Sequence, residues 1–268
     1  MFSKHCIIIK GGGDLSSATA HKLKRSGFQV IITELEQPRM VRRSVSFGNC
    51  VYEKEWTVEG MTSVLTGEEG IHGILMNGKI PVLIDPSCEI RKKVKPAIII
   101  DAILAKKNLS TDINDAPIVI GLGPGFTAGQ DVHAIIETNR GHNLGRIIFD
   151  GKAETNTHVP GDVCGYTFER VLRSPECGII KNHVEIGDIV RSGDIICTVD
   201  TTPVYTKIDG IVRGLIKDGI YIDSDYKVGD IDPRRDSEYC YTISDKGRNI
   251  AGGVLEAILI LLKNTPLA

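Results

Sequence analysis

The chain has 268 residues, 41% hydrophobic and 25% charged, which is ordinary for a globular protein of one large domain or two smaller ones. A net charge of -2 and an aromatic content of 5% exclude the surfaces that nucleic acids and anionic membranes require. Seven cysteines without a C-x-x-C pair exclude a disulfide framework and a cysteine-rich zinc site, so we expect a cytoplasmic protein without a metal.

The first part of the chain alternates between strand and helix patterns. "CIIIK" (6–10) and "FQVIITEL" (28–35) are buried strands, and "DLSSATAHKLKR" between them is a helix that Gly27 ends. "HGILMNGKIPVLIDP" (72–86) is interpreted as strand, Asn77-Gly78 turn and strand, and further apolar strands lie in "KPAIIIDAILAK" and "APIVIGLG". Apolar strands separated by helices predict an α/β, Rossmann-like, mainly parallel sheet domain over residues 1–165.

From residue 166 to 236 the helix patterns give way to short strands and Gly-Asp turns. "VRSGDIICTV" (190–199) is echoed by "DYKVGDIDPR" (225–234), which indicates a small pseudo-symmetric β domain. This part resembles the barrel-sandwich hybrid fold of lipoyl and biotinyl carrier domains. The expected hairpin tip, Asp200–Tyr205, has no lysine to carry a cofactor, so we interpret the domain as a docking or structural module.

Residues 237–268 are predicted to form a C-terminal helix, with Ser244 or Asp245 as its N-cap. The helix is apolar on nearly every side, so it is buried either against the α/β domain or between two copies of the chain in a homo-oligomer. It is not a membrane span, since it is shorter than the roughly 20 residues a bilayer needs and Glu256 interrupts it.

A glycine-rich loop joins the first strand to the first helix and has the form of a dinucleotide site. Glycines let a pyrophosphate approach the backbone, and the helix N-terminus favours the negative charge. Glu34 ends the second strand, where an acid binds a ribose hydroxyl in such sites. The third glycine of G-x-G-x-x-G is Ser16 here, so an occupied nucleotide site and a crevice without a dinucleotide both remain open. The candidate cofactor-binding residues of this region are Gly11, Gly12, Gly13, Asp14, Leu15 and Glu34.

Two arginines after the second strand, Arg42 and Arg43, are further candidates. They either bind a 2′-phosphate or another anion, or they belong to the solvated face of a helix.

The second glycine-rich loop, "GLGPGFTAGQDVHAIIET" (121–138), is not a second dinucleotide loop. Pro124 lies inside it, Phe126 replaces the third glycine, and the alternating residues that follow predict a strand. Successive N–H groups in such a turn form a nest for anions, and cations follow it in the sequence. The candidates for a small anionic ligand are Gly123, Gly125, Phe126, Arg140, His142 and Arg146; the alternative is a tight turn with one exposed histidine.

Cys88 is the candidate catalytic residue. It follows a buried strand near the start of a predicted helix, where a helix N-terminus lowers a thiol pKa. The alternative is an inert, buried cysteine.

Several segments occur together in one order: "GGGDL" (11–15), "VRRSVSF" (41–47), "VLIDP" (82–86), "GLGPGFTAG" (121–129), "VHAIIETNRGHNLGR" (132–146) and "VGDIDPR" (228–234). In these the chain resembles the YqeB family of selenium-dependent molybdenum hydroxylase accessory proteins. The resemblance implies maturation of such a hydroxylase, with the hydroxylase or other maturation proteins as partners and a molybdopterin-type cofactor or a nucleotide as ligand. It supplies no catalytic residues. Two other functions remain open: an NAD(P)-dependent oxidoreductase that uses the first glycine loop, and a non-catalytic scaffold.

Overall fold

The computed structural model describes residues 5–157 and 159–264 and divides into two compact units. The first, here the α/β unit, comprises residues 5–38, 46–156 and 243–264 of this described part. The second, the β unit, comprises residues 39–45 and 157–242 without residue 158. The β unit thus includes a short segment, Arg39–Val45, that lies far from the rest of it in sequence.

One sheet of nine strands organises the described part of the α/β unit. Its strands are β1 (Cys6–Lys10), β2 (Gln29–Glu34), β3 (Glu55–Val58), β4 (Met61–Leu65), β5 (Ile80–Ile84), β6 (Ile98–Asp101), β7 (Ile118–Leu122), β8 (Ala134–Ile136) and β9 (Ile147–Ile148). Their order is β3-β4-β5-β2-β1-β6-β7-β8-β9. The strands from β4 to β8 are parallel, whereas β3 and β9 are antiparallel edge strands. The mainly parallel α/β sheet predicted from the sequence is therefore confirmed.

The central strands are apolar throughout because both of their faces are covered. In β1, Ile7, Ile8 and Ile9 are all fully buried, although alternate side chains of a strand point to opposite faces. Ile8 pairs in register with Ile31 of β2 and Ile99 of β6, so isoleucines from three strands form one row of the core.

The helices of the α/β unit are α1 (Asp14–Arg25), α2 (Cys50–Glu53), α3 (Ile71–Met76) and α4 (Arg91–Val94), and the C-terminal α6 (Asp245–Asn264) also belongs to it. Helix α6 packs against α1 and also contacts β7 and β8. The Ser244 hydroxyl accepts the N–H of Gly247 at 3.1 Å, so Ser244 caps α6. Helix α6 therefore packs against the α/β unit, which is one of the two environments expected for it.

One predicted strand is wrong. Residues 72–76 lie in α3, not in a strand before the Asn77-Gly78 turn. Ile71 and Leu75 are one helical turn apart, and both pack against the core beside Ile31. The turn itself is present, with Gly78 at a φ of +73°, and leads into β5.

The β unit contains two four-stranded sheets among its described residues, and all their pairings are antiparallel. The strands are β10 (Val171–Arg173), β11 (Gly178–Asn182), β12 (Ile189–Val190), β13 (Ile195–Val199), β14 (Thr202–Tyr205), β15 (Gly210–Leu215), β16 (Tyr221–Ile222) and β17 (Lys227–Asp232). The sheet orders are β10-β17-β15-β12 and β14-β13-β11-β16, and a short helix, α5 (Glu238–Tyr241), follows β17. The β13–β14 hairpin turns at Asp200 and Thr201, within the predicted tip.

Candidate functional site

The carboxyl ends of the parallel strands meet at one edge of the large sheet, and several of these ends carry charged side chains. Lys10 ends β1, Glu34 ends β2 and Asp101 ends β6, while Glu137 follows β8. The chain leaves β1 toward β2 on one side, whereas β6 lies on the other side, so the strand order reverses between β1 and β6. Open α/β sheets place their ligand crevice at this kind of switch point.

The first glycine loop lies at the switch point and is covered by its own chain. Gly11 has a φ of +89°, and its N–H donates to the Thr33 carbonyl at 2.8 Å. Gly12 donates its N–H to the Glu34 carboxylate at 2.7 Å and accepts the N–H of Gly48 at 2.9 Å. A Cβ on Gly12 would lie 2.7 Å from the Gly48 Cα, so this glycine is required by the segment that crosses it.

These contacts disfavour the dinucleotide interpretation. A pyrophosphate would need the Gly12 N–H and the space above its Cα, and Glu34 and Gly48 take both. Glu34, the expected ribose ligand, also accepts the Leu35 N–H at 2.6 Å, so its carboxylate ties the loop to β2. Burial raises the pKa of Glu34, and its two backbone hydrogen bonds oppose that shift.

Asp14 is the first helical residue of α1, and the N-cap of this helix is Gly13, which has no side chain to cap with. Asp14 still lies in the first turn, where the helix dipole favours a carboxylate. Leu15 is buried in the core.

A buried ion pair spans the switch point below the first loop. The Lys10 ammonium lies 3.4 Å from the Asp101 carboxylate and donates to the Thr111 hydroxyl at 2.5 Å. That hydroxyl donates to the same carboxylate at 2.5 Å, and the Ile103 N–H donates to its other oxygen at 3.1 Å. Lys10, Asp101 and Thr111 are almost fully buried, so they stabilise this part of the fold and present no open site.

Cys88 does not have the environment of an activated thiol. It is 1% exposed, packs in the apolar core beside Ile8 and Leu83, and adopts a left-handed φ of +55°. Burial raises the pKa of its thiol to about 11. The expectation that a helix start would lower this pKa is wrong, because α4 has only four residues and burial outweighs the charge of Lys10 and Arg91.

The second glycine loop packs closely on the fold around it. A Cβ on Gly123 would lie 2.4 Å from the Thr138 hydroxyl, and one on Gly125 would lie 2.7 Å from the Lys107 Cα. Phe126 is buried, with its ring against Gly121. The strand predicted after this loop is confirmed as β8.

The two glycine loops follow β1 and β7, and β6 lies between these strands. The segment after β6 fills the space between the loops: Ala102 approaches Gly11, and the Asn108 N–H donates to the Gly125 carbonyl at 3.1 Å. The loops therefore do not form opposite walls of one open crevice.

The cations that follow β8 are separated by their contacts. Arg140 forms a paired hydrogen bond to the Asp245 carboxylate, at 2.7 and 3.1 Å, and so ties the loop to the start of α6. His142 and Arg146 instead line a cavity of about 660 Å³ between this loop and α6. Among the described residues, the Arg146 guanidinium has no hydrogen-bond or ion-pair partner.

Helix α6 forms the other wall of this cavity, here called the loop–helix cavity. Its lining from α6 includes Arg248, Asn249, Gly252, Gly253 and Glu256. A Cβ on Gly253 would lie 2.3 Å from the Gly145 carbonyl oxygen, so this glycine lets the loop pack on the helix. Sequence reasoning missed Arg248 and Asn249, although the spacing of positions 248, 252 and 256 marks one helix face with little apolar surface.

The remaining candidates, Arg42 and Arg43, belong to the β unit. The buried Arg42 guanidinium donates to the carbonyls of Tyr239 and Thr242 at 2.9 and 3.2 Å. Arg43 donates to the Leu215 carbonyl at 2.7 Å, so both arginines hold the segment Arg39–Val45 in the β unit. Because both side chains bind backbone carbonyls, these contacts do not favour the interpretation of Arg42 and Arg43 as the solvated face of a helix.

Two further properties concern metals and membranes. Within residues 5–157 and 159–264, no group of three or more His, Cys, Asp or Glu side chains is placed to hold a metal ion. No helix in these ranges combines the length and hydropathy that crossing a membrane requires.

These observations define the class: an α/β protein whose mainly parallel sheet is combined with two small antiparallel sheets and a long C-terminal helix. The chain is homologous to the Escherichia coli (strain K12) protein named Uncharacterized protein YqeB, with 45% identity over 257 residues. The match covers 96% of this chain and 48% of the relative, so the chain spans about half the length of that protein. No family model matches the chain.

Two solved structures are distantly similar to the chain. An aspartoacylase family protein from Mesorhizobium loti has 11% identity and a TM-score of 0.28, covering 84% of each chain. The product-bound ectoine utilization protein EutE from Ruegeria pomeroyi has 10% identity and a TM-score of 0.26, covering 85% of each chain. TM-scores this low carry no argument about the function of this chain.

Proposed function

We propose that the protein is an accessory protein in the maturation of a selenium-dependent molybdenum hydroxylase, and that it binds a phosphate-bearing ligand in the loop–helix cavity. The segments quoted from the sequence support the maturation role by resemblance. The observation that carries the binding role is the Arg146 guanidinium, which lines this cavity with no partner among the described residues.

The chemistry of the cavity suits a phosphate group. An arginine guanidinium offers parallel N–H donors that match two phosphate oxygens, and His142 and Arg248 add further donors around the same space. A volume of about 660 Å³ lies in the usual range for a small-molecule ligand. Glu256 is the acid on this wall and opposes an anion, so the ligand's phosphate is expected on the side of Arg146.

Two ligands share this chemistry: a phosphate-bearing molybdenum cofactor as cargo, and a selenium-transfer intermediate such as selenophosphate. The protein would hold either one by its phosphate. The described residues include no cluster of metal ligands, so the molybdenum end of the cargo is not expected to be coordinated by side chains of this part of the chain.

A complementation experiment tests the proposed function. In a host that makes a selenium-dependent molybdenum hydroxylase, the gene for this protein is deleted and replaced by the wild-type or a variant gene. We expect deletion to abolish hydroxylase activity while apoenzyme still accumulates, and Arg146→Gln to restore less activity than the wild type. Arg191→Gln, which removes an exposed cation that does not line the cavity, serves as the matched control and restores full activity.

The metal and selenium contents of the purified hydroxylase separate the two ligands. Loss of both molybdenum and selenium supports the cofactor as cargo, whereas loss of selenium alone supports the selenium-transfer intermediate. Full activity in the deletion strain contradicts the proposed function, and full activity with Arg146→Gln contradicts the role of the cavity.

A further inference from the structure

A second cavity lies beside the first, in the groove between α1 and α6. It has a volume of about 440 Å³, and its lining includes His21, Lys22 and Arg25 of α1 and Arg248 of α6. Arg248 therefore lines both cavities. Among the described residues, the Lys22 and Arg25 side chains have no hydrogen-bond or ion-pair partner, so both cations are available to a ligand.

The two helices approach closely where both carry small residues. A Cβ on Gly247 would lie 2.9 Å from the Ala18 Cβ, which brings the helix surfaces into direct contact there. One turn further along, the Lys22 ammonium lies 3.8 Å from the Cβ position of Gly252, which lines the loop–helix cavity. Because Gly252 has no side chain, nothing on α6 at that position separates Lys22 from the first cavity.

We propose that the α1–α6 groove is a second anion subsite of the same binding site, so that the ligand carries two anionic groups joined past Gly252. This inference rests on the proposed function, because it assigns the first anionic group to the loop–helix cavity. Arg146 receives that group, Lys22 and Arg25 receive the second one, and Arg248 lies between them. The ligand class is a diphosphate or a longer phosphate-bearing molecule.

Glu59 is the positioning residue for Arg248. Its carboxylate accepts the Arg248 guanidinium at 2.6 Å and the Ile243 N–H at 2.8 Å. Glu59 adopts a φ of +44° in the turn between β3 and β4, which directs this carboxylate to the start of α6. The Glu59–Arg248 ion pair is partly exposed, so it contributes little free energy. It positions Arg248, but a phosphate can replace the Glu59 carboxylate at little cost.

Two phosphate probes of different length test the subsite by isothermal titration calorimetry of the full chain. Inorganic phosphate is the probe for the Arg146 subsite, and tripolyphosphate, which carries three linked phosphate groups, is the probe for both subsites. We expect Lys22→Gln with Arg25→Gln to weaken tripolyphosphate binding about tenfold and to change phosphate binding by less than about twofold. Arg146→Gln weakens the binding of both probes.

Substitutions at Gly252 test the connection without a change in charge. Gly252→Leu places a side chain between the subsites and is expected to weaken tripolyphosphate binding while phosphate binding is retained. Gly252→Ala is the matched control, because its methyl group makes only an ordinary contact with Lys22. Glu59→Gln keeps the oxygen that holds Arg248 and removes a negative charge, so it tightens tripolyphosphate binding.

The outcomes separate the two proposals. Unchanged tripolyphosphate affinity in the Lys22→Gln/Arg25→Gln and Gly252→Leu variants overturns the second subsite, while a loss of phosphate binding in Arg146→Gln still supports the first. If Arg146→Gln binds phosphate as the wild type does, the loop–helix cavity is not the phosphate site and both assignments fail.

Discussion

The Glu34 carboxylate accepts the N–H of Gly12 at 2.7 Å, and this contact determines how the first glycine loop is used. Glu34 and Gly12 occupy the positions that a dinucleotide site requires, but here they bind each other. Gly48 also packs against the same glycine. The loop is therefore a structural element of the switch point, and the cations suited to an anionic ligand lie elsewhere on the α/β unit.

The glycine loop gives the first prediction. Gly12→Ala places a methyl group within 2.8 Å of two backbone atoms of Gly48, which cannot move without displacing the chain. We expect a loss of at least about 2–3 kcal/mol in the free energy of unfolding, measured by urea denaturation. Gly13→Ser is the control: its Cβ meets nothing within 4 Å, and serine is a favourable N-cap. Equal stability of the two variants would show that Gly48 does not pack on Gly12.

The second prediction concerns the pH dependence of stability. Burial raises the pKa of Glu34 in the folded protein above its ordinary value of 4.5, so the folded state holds this proton more tightly than the unfolded state does. The wild-type protein therefore loses free energy of unfolding as pH rises through the folded pKa of Glu34. Glu34→Gln has no proton to lose at this position, so it does not show this loss. The stability of Glu34→Gln relative to the wild type should rise from about pH 4 to about pH 7 in urea titrations. A relative stability that falls over this range would mean that the folded pKa is lowered.

The third prediction concerns the buried ion pair at the switch point. Lys10→Met leaves the Asp101 carboxylate buried without its cation, which should cost about 3–5 kcal/mol in the free energy of unfolding. The double substitution Lys10→Met/Asp101→Leu removes both charges and should recover most of that loss. A single variant as stable as the wild type in chemical denaturation would show that this pair does not hold the strands together.

The fourth prediction concerns thiol reactivity. With a pKa of about 11 and almost no exposure, Cys88 should resist a thiol-specific reagent at about pH 8 until the protein unfolds. Cys164 and Cys177 are exposed and should react in the folded protein, which makes them internal controls. Modification of Cys88 at the rate of Cys164 would restore it as a candidate nucleophile.

Much of the fold follows from local sequence patterns. The runs "CIIIK" and "APIVIGLG" predict buried strands because both faces of the central strands are covered, and such strands need no alternation. The segment "HGILM" shows the limit of this reasoning, since a short apolar run satisfies helix and strand spacing alike. The sequence patterns do not predict the β3–β4 hairpin, because its two strands are short and mixed in polarity.

The candidate site was less predictable, because it depends on contacts between distant segments. The sequence points to His142 and Arg146, which follow the second glycine loop. It does not show that Lys22 and Arg248 lie nearby, since that depends on α6 packing on α1 at Ala18 and Gly247. Nor does it show that Glu34 turns back to the glycine loop, a geometry that a dinucleotide motif does not specify.

The most direct test of the account is to identify what the protein carries from the cell. The wild-type protein and the Arg146→Gln variant are purified gently without oxygen from cells that make the hydroxylase, and bound phosphorus, molybdenum and selenium are quantified per chain. We predict that the wild type retains a phosphate-bearing ligand with molybdenum or selenium, and that the variant retains much less. Equal amounts in the two proteins, or none in the wild type, would contradict the account.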